Sequence, residues 1–291
     1  MIDLHMHSTY SDGSQSPEQL LLEAKELGLS AIALTDHDTI DGIPEFMELG
    51  EKYGIRTIHG VEISVDTKLP NNGHMHILGL LIAPNSTELK NTLNYLMEQR
   101  NLRAEKIISK LNDLNVDVTM QELLDEAGEG AIGRPHVAKI MLRKGIVSSI
   151  QEAFDIYLAK GKPAYMDKMK LDENDAFKMI HDAGGLAILA HPHFMHYDTI
   201  DEAIERIMDL REKGLDGFEV HYSAMPQEYT DRLLKLAEEH GFAISGGSDY
   251  HGTNKDTIKM GTGNNNDLAV QESILEGLEA FHQRKYAAVS G

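Results

Sequence analysis

The sequence predicts an α/β protein, a βα barrel of seven strands carrying an inserted helical segment. Short β-rich runs alternate with helical patterns along most of the chain, ionisable residues gather where those runs end, and the alternation stops for one stretch in the middle. Alternation points to a parallel sheet covered by helices, because a parallel neighbour is reached through a crossover.

Element by element, the first run is Ile2–His5, and Ser14 and Ser16 offer caps for a helix over Pro17–Leu27. A second run, Ala31–Thr35, precedes a helix over Ile43–Tyr53 that stops at Gly54. Runs three and four are Thr57–Ile63 and His76–Ile82. From Ser86 to Lys170 no strand pattern occurs. Apolar residues at helical spacing (Leu93, Leu96, Ile107, Ile108, Leu111) predict a long helix over Leu89–Leu114, and shorter helices follow at Met120–Ala127, Pro135–Arg143 and Ile150–Leu158. Residues 86–170 therefore read as a helical insert, and 1–85 with 171–291 as the barrel. Runs five to seven are Leu186–Ala190, Gly217–His221 and Ala243–Ser245, the last preceded by a helix over Gln227–His240 that ends at Gly241.

Composition narrows the chemistry. With no cysteine there is no disulfide framework and no thiolate metal site, so a metal must sit on imidazole and carboxylate. Asp plus Glu outnumber Lys plus Arg by 47 to 27, a formal charge of −20, the wrong sign for stable binding of duplex DNA. Short anionic substrates stay open, because bound cations invert the local field. No apolar run reaches the roughly 18–20 residues that span a bilayer, and the N-terminus opens into Asp3 and His5 rather than an apolar stretch. The expectation is a soluble cytoplasmic protein with no membrane partner.

In a strand, residues two apart point the same way, so His5-Met6-His7 can present two imidazoles to one ion while Met6 faces away. Strand two runs into Thr35-Asp36-His37-Asp38, strand three into Gly60-Val61-Glu62, strand five into Ala190-His191-Pro192-His193, and strand seven into Gly247-Ser248-Asp249-Tyr250-His251. In a parallel barrel all C-terminal strand ends open on one face, so these residues converge. Singly, each has a structural reading: Glu62 could cap a turn, His191 could be a satisfied core histidine, and Asp36 could hold a loop. Jointly, buried ionisable groups at so many strand ends would cost several kcal/mol each without a counter-ion.

Within the insert, Gly133-Arg134-Pro135-His136 begins a helix with proline in its first turn. Arg134 and His136 beside free backbone N–H groups make a phosphate site, or else a helix start whose charge is merely solvated. Lys162, in Gly161-Lys162-Pro163, is a candidate of the same type, or a solvated loop lysine. His59, His181, His196 and His240 read as structural or exposed. His193 and His221 lie nearer the mouth, where either could donate a proton to a leaving group or orient a ligand.

The pieces Asp3-Leu4-His5-Met6-His7-Ser8, Ser11-Asp12-Gly13, Thr35-Asp36-His37-Asp38, Gly60-Val61-Glu62, His76, Ala190-His191-Pro192 and Ser248-Asp249-Tyr250-His251 resemble, in order and placement, the pattern of the PHP (polymerase and histidinol phosphatase) family. That resemblance implies a distorted seven-stranded (βα)7 barrel with the insert as a subdomain contributing to the substrate site. It also implies one divalent ion on His5, His7, Glu62 and Asp249, a second on Glu62, His76 and His191, and a third on Asp12, His37 and His251. Some members carry histidine where Asp12 stands, which makes this third site more oxygen-rich. His74 is the rival of His76; His76 opens the apolar run Ile77–Ile82 and matches the family pattern. Mixed imidazole and carboxylate ligation suits manganese, iron or zinc more than calcium. Two ions bridged by Glu62 would share a water, lower its pKa and aim the resulting hydroxide at phosphorus, with Asp249 accepting its proton. Members with this insert act on small nucleotides, nucleoside 3′,5′-bisphosphates or short 5′-phosphorylated RNA, and use the pair matching Arg134 and His136 on substrate. A histidinol-phosphate phosphatase is the alternative, and a non-catalytic PHP binding module a second. Against the module stands a competent residue at every ligand position.

Overall fold

The computed structural model describes residues 1–65, 67–127, 132–166 and 171–287, which fall into two compact units, Met1–Asn91 with Leu171–Gly291 and Thr92–Lys170. The predicted end of the insert at Lys170 lies outside the described residues. In chain order come β1 (Ile2–Asp3), α1 (Pro17–Glu26), β2 (Ala31–Leu34), α2 (Ile43–Tyr53), β3 (Arg56–Val65), β4 (Met75–Leu80) and α3 (Thr87–Asp113). Next are α4 (Met120–Ala127), α5 (Arg134–Arg143) and α6 (Ile150–Ala153), the last running on into a single π turn, Phe154–Leu158. The chain continues with α7 (Glu173–Asp182), β5 (Leu186–Leu189), α8 (Ile200–Lys213), β6 (Gly217–Tyr222), α9 (Gln227–His240), β7 (Ala243–Gly247), a small β8–β9 ribbon (Ile258–Lys259, Gly263–Asn264) and α10 (Glu272–Ala287).

Among the described residues, the seven predicted strands form one sheet in the order β1-β2-β3-β4-β5-β6-β7. Its ends are stitched together: the Leu4 amide donates to the Gly246 carbonyl at 3.2 Å, the Asp249 amide to His5 at 2.9 Å, and Met6 bridges Tyr250. The result is a nearly closed α/β barrel. Local chemistry sets its helices. Ser16 caps α1 through the Gln19 amide while the Gln19 side chain returns the bond, and α2 stops where Gly54 turns left-handed at φ 72°.

One expectation fails. The sheet is not wholly parallel, because β4 runs antiparallel to both β3 and β5. The β3–β4 connection, residues 66–74, is too short for a crossover helix, so the chain turns straight back. Reversal exchanges the ends of the strand, so His76, near the start of β4, lies at the same barrel mouth as the C-terminal ends of its neighbours. The registers Ser64 to His76 and Glu62 to Leu78 set Glu62 and His76 diagonally across the pair.

Two apolar clusters support this unit. Ile2, Leu4, Ala31, Ala33, Leu78 and Ile188 pack with Val270, Leu275 and Leu278 from the C-terminal segment. Met6 turns away from His5 and His7 to join Leu20, Leu21, Ile32 and Phe46 on the side of α1 and α2. In the second unit, Ile107, Leu111, Leu123, Ile140 and Met141 build a separate core, tied by Lys110 Nζ donating to the Tyr165 carbonyl at 2.9 Å. No helix among the described residues is long and apolar enough to cross a membrane.

Candidate metal centre

Glu62 is the centre of the barrel mouth. It lies on β3, 1% exposed, and its two carboxylate oxygens face different imidazoles. Oε2 lies 3.3 Å from His5 Nε2, 3.2 Å from His7 Nε2 and 3.2 Å from His37 Nδ1. Oε1 lies 2.8 Å from His76 Nδ1 and 3.0 Å from His191 Nε2. Asp249 completes the first side, with Oδ1 at 3.1 Å from His7 Nε2 and 3.5 Å from His5 Nε2. Half-exposed Asp12 reaches His251 Nε2 at 3.3 Å and His7 Nδ1 at 3.6 Å, with its other oxygen 3.9 Å from His37.

Ligand atoms that lie within 4.8 Å of one another fall into four overlapping groups: His5, His7, Glu62 and Asp249; His37, Glu62 and His76; His74, His76 and His191; and His7, Asp12, His37 and His251. All nine expected metal ligands fall within these groups, and so does His74, set aside in favour of His76. The donor set fits divalent cations on two grounds. Bonds of about 2.1 Å to an ion set adjacent donor atoms about 3.0–3.4 Å apart, close to the 2.8–3.5 Å found around Glu62 and Asp249. Moreover, His5 Nε2, both ring nitrogens of His7, His37 Nδ1, His251 Nε2 and Glu62 Oε2 are buried without a hydrogen-bond partner, a costly state for protein atoms that bound cations relieve.

The charges are tightly balanced. Burial would push the Glu62 carboxyl up, but His37, His5, His76 and His191 hold it well below the carboxylate range. Asp249 is held down likewise, against its burial, by His5, His7 and His251. Conversely, Asp249 and Glu62 outweigh burial at His7 and raise it to about 9. Burial dominates at His37 and lowers it to about 3 despite the pull of Glu62.

Backbone and neighbouring side chains fix these donors. His191 and Asp249 take left-handed φ values of 30° and 59°, sharp turns at the strand ends that aim both side chains into the mouth. Gly13 lets the Asp12 loop fold back, since a Cβ there would lie 2.2 Å from the His7 carbonyl oxygen. Asp36 holds this loop, as one of its alternative readings had it, accepting from the Ser8 amide at 2.7 Å, Ser8 Oγ at 2.7 Å and Ser11 Oγ at 2.6 Å. Asp3 does the same for the Asp249 turn through the Ser248 amide and hydroxyl.

Several residues had not stood out in the sequence. Glu219, fully buried on β6, pairs with His5 Nδ1 at 3.0 Å and accepts from the His191 amide at 2.7 Å, so one carboxylate orients ligands from two strands. Its only signal was an acid within the apolar run Phe218-Glu219-Val220. Tyr222 Oη and Lys255 Nζ donate to Asp249 Oδ2 at 2.9 and 2.8 Å, leaving Oδ1 for the site. A register shift between Glu219 and His221 makes this possible. With one extra residue in β6, Tyr222 rather than His221 meets Asp249. His193 lies outside the four groups, half-buried against Phe194 and Tyr222, and burial with His191, His196 and His74 lowers it to about 4.

Arg134, His136 and Lys162 belong to the second unit. Arg134 opens α5, donates to the Leu158 carbonyl at 3.0 Å and lies over the Phe154 and Tyr165 rings. His136 Nδ1 accepts from the Gly133 amide at 3.2 Å, a capping bond that fixes the helix start, and Lys162 is exposed.

Comparison with known proteins agrees with this geometry. Residues 3–163, more than half of the chain, match the PHP domain model. A 5′-3′ exoribonuclease from Haemophilus influenzae is 34% identical over 86% of this chain and 89% of its own length. A 3′,5′-nucleoside bisphosphate phosphatase from Chromobacterium violaceum is 32% identical over 86% of this chain and 87% of its own. Among solved structures, a protein from Bifidobacterium adolescentis described as a metal-dependent phosphoesterase superposes with a TM-score of 0.75 and 26% identity, covering 96% of each chain. The chain thus belongs to the PHP family and is a metal-dependent phosphoesterase, a hydrolase.

Proposed function

We propose that this phosphoesterase acts on small nucleotides, namely a nucleoside 3′,5′-bisphosphate, an AMP-like monophosphate or short 5′-phosphorylated RNA. The single observation that carries a hydrolytic centre is Glu62, whose two oxygens each face a separate set of imidazoles within 3.3 Å. The nucleotide class is supported by the two relatives above, similar to this chain across most of its length. We assign ligand sets to two ions, on His5, His7, Glu62 and Asp249 and on Glu62, His76 and His191, and to a third on Asp12, His37 and His251. Manganese, iron or zinc suits this mixed donor set. Such ions, when bound, acidify water and neutralise charge on a phosphoryl group.

The chain's own groups then divide the work. Asp249, clamped through Oδ2 by Tyr222 and Lys255, keeps Oδ1 facing the site, where it takes the proton of the attacking water. As the water oxygen bonds to phosphorus, the ester P–O bond breaks, and the leaving oxygen takes a proton from solvent at the rim, relayed by the neutral His193 ring, which takes one proton as it passes one on. Arg134 and His136, with Lys162 from the loop after the π turn, bind a substrate phosphate through a guanidinium fork, a helix N-terminus and an ammonium group.

Phosphate release by manganese-reconstituted protein tests this, with adenosine 3′,5′-bisphosphate, AMP, 5′-phosphorylated oligoribonucleotides and histidinol phosphate in parallel. Turnover of the bisphosphate or the oligonucleotide, abolished in His7→Ala and Glu62→Ala and weakened in Arg134→Ala, supports the reading. Preference for histidinol phosphate, or silence across the panel with metals bound, contradicts it.

A further inference from the structure

Beside His76 and His191 the rim of the first unit is built of rings. The Phe194 centroid lies 5.0 Å from His191, 5.2 Å from His74, 4.1 Å from His193 and 5.9 Å from Tyr222. His196 stands edge-on to it at 6.3 Å and 90°. Phe194 is only half-buried, and His74 and His196 are exposed. An aromatic side chain with a water-facing part beside so polar a centre gives up burial that a core position would supply.

The backbone holds this rim in place. Pro192–Met195 form one 3₁₀ turn bracketed by His191 at φ 30° and His196 at φ 54°, both left-handed. The His74 amide donates to the Phe194 carbonyl at 3.0 Å, and Asn71 Nδ2 donates to the His196 carbonyl at 3.0 Å. Gly73 permits the close approach, since a Cβ there would lie 2.1 Å from the Met195 carbonyl oxygen. A ring fixed this way needs little ordering when a ligand arrives. The rings offer π-faces rather than a specific hydrogen-bonding edge, which suits a flat heteroaromatic group of any base identity.

We infer that Phe194, flanked by His74 and His196, is a stacking platform for the nucleobase of a substrate whose phosphate lies at the ion cluster. This rests on the nucleotide reading above. It adds that affinity for the base comes from stacking and shows little preference among bases.

The test compares adenosine 3′,5′-bisphosphate with an abasic 3′,5′-bisphosphate, in which tetrahydrofuran replaces the nucleoside, on manganese-loaded wild type, Phe194→Ala, Phe194→Leu and Phe194→Tyr. Phe194→Leu keeps apolar bulk without a flat face, so it serves if the alanine variant folds poorly. Phe194→Tyr keeps the face and is expected to retain discrimination. The expected result is that Phe194→Ala and Phe194→Leu lower kcat/KM for the adenosine substrate roughly 5- to 150-fold more than for the abasic one, the range of a single base–aromatic stack. Equal losses on both substrates, or none on either, overturn the platform. If wild type releases phosphate from neither substrate, the bisphosphate part of the nucleotide reading fails, and binding of AMP to the metal-loaded protein decides the platform alone. Binding weakened by Phe194→Leu and kept by Phe194→Tyr supports it, and absent or insensitive binding overturns it.

Discussion

Glu62 faces five imidazoles within 3.3 Å, which makes its charge, rather than its volume, the feature the centre depends on. Glu62→Gln keeps the shape and removes the charge. Its metal content by elemental analysis is expected to fall by at least one ion per chain, with phosphate release lost; a variant that retains full metal content contradicts the assignment. Glu219 acts one step further out, on His5 and on the His191 amide. Glu219→Gln is expected to weaken metal affinity roughly 10- to 100-fold, read by competition with a chelator, as for other groups that orient a ligand from behind. An affinity within twofold of wild type would remove Glu219 from the centre. Most of the candidate ligands were legible in the sequence because they stand at an end of an apolar run and are competent donors, whereas Asp12, in the polar stretch Ser11-Asp12-Gly13, was marked only by its match to the PHP pattern. Glu219 was not, because a single acid inside Phe218-Glu219-Val220 looks the same whether it faces a metal site or water.

Strands and loops carry these donors to one place, and here legibility divides by the range of the interaction. Helix bounds such as Ile43–Tyr53 and Gln227–His240 agree with the structure because caps, prolines and glycines lie within a few residues of each end. The direction of β4 and the extra residue in β6 depend on pairing across the sheet, which no local pattern encodes. The reversed strand matters functionally, since it turns His76 from a strand beginning into a member of the mouth. The Asp12 loop makes a prediction at this scale. Gly13→Ala forces the loop off the His7 carbonyl, and the expected outcome is loss of the third ion we assign to Asp12, His37 and His251 together with about 1–3 kcal/mol of stability. Metal content and denaturant titration check it; unchanged values in both would show that the loop accommodates a side chain.

Far from the mouth, the barrel is secured by Asp216, which binds His181 Nε2 at 2.9 Å, Lys285 Nζ at 2.6 Å and the Ala187 amide at 2.9 Å, joining α7, β5 and α10. Burial would raise this carboxyl, but His181 and Lys285 together with the amide hold it below its usual value of 3.8. A carboxyl whose folded pKa is depressed stabilises fully above its unfolded pKa and loses that contribution as pH falls through the folded value. Asp216→Asn is therefore expected to cost about 1.5–3 kcal/mol near neutrality, with the difference from wild type shrinking below about pH 4. Urea midpoints of both proteins at pH 7 and pH 3 test the sign, and a gap that widens in acid refutes it. For the whole molecule the central claim is an ion cluster organised by one carboxylate. The most direct measurement is anomalous diffraction from crystals of manganese-loaded protein. Peaks are expected on both sides of Glu62, one at about 2.0–2.2 Å from Oε2 and shared with His5, His7 and Asp249, the other at that distance from Oε1 and shared with His76 and His191. Peaks that avoid Glu62, or none at saturating metal, would contradict the account.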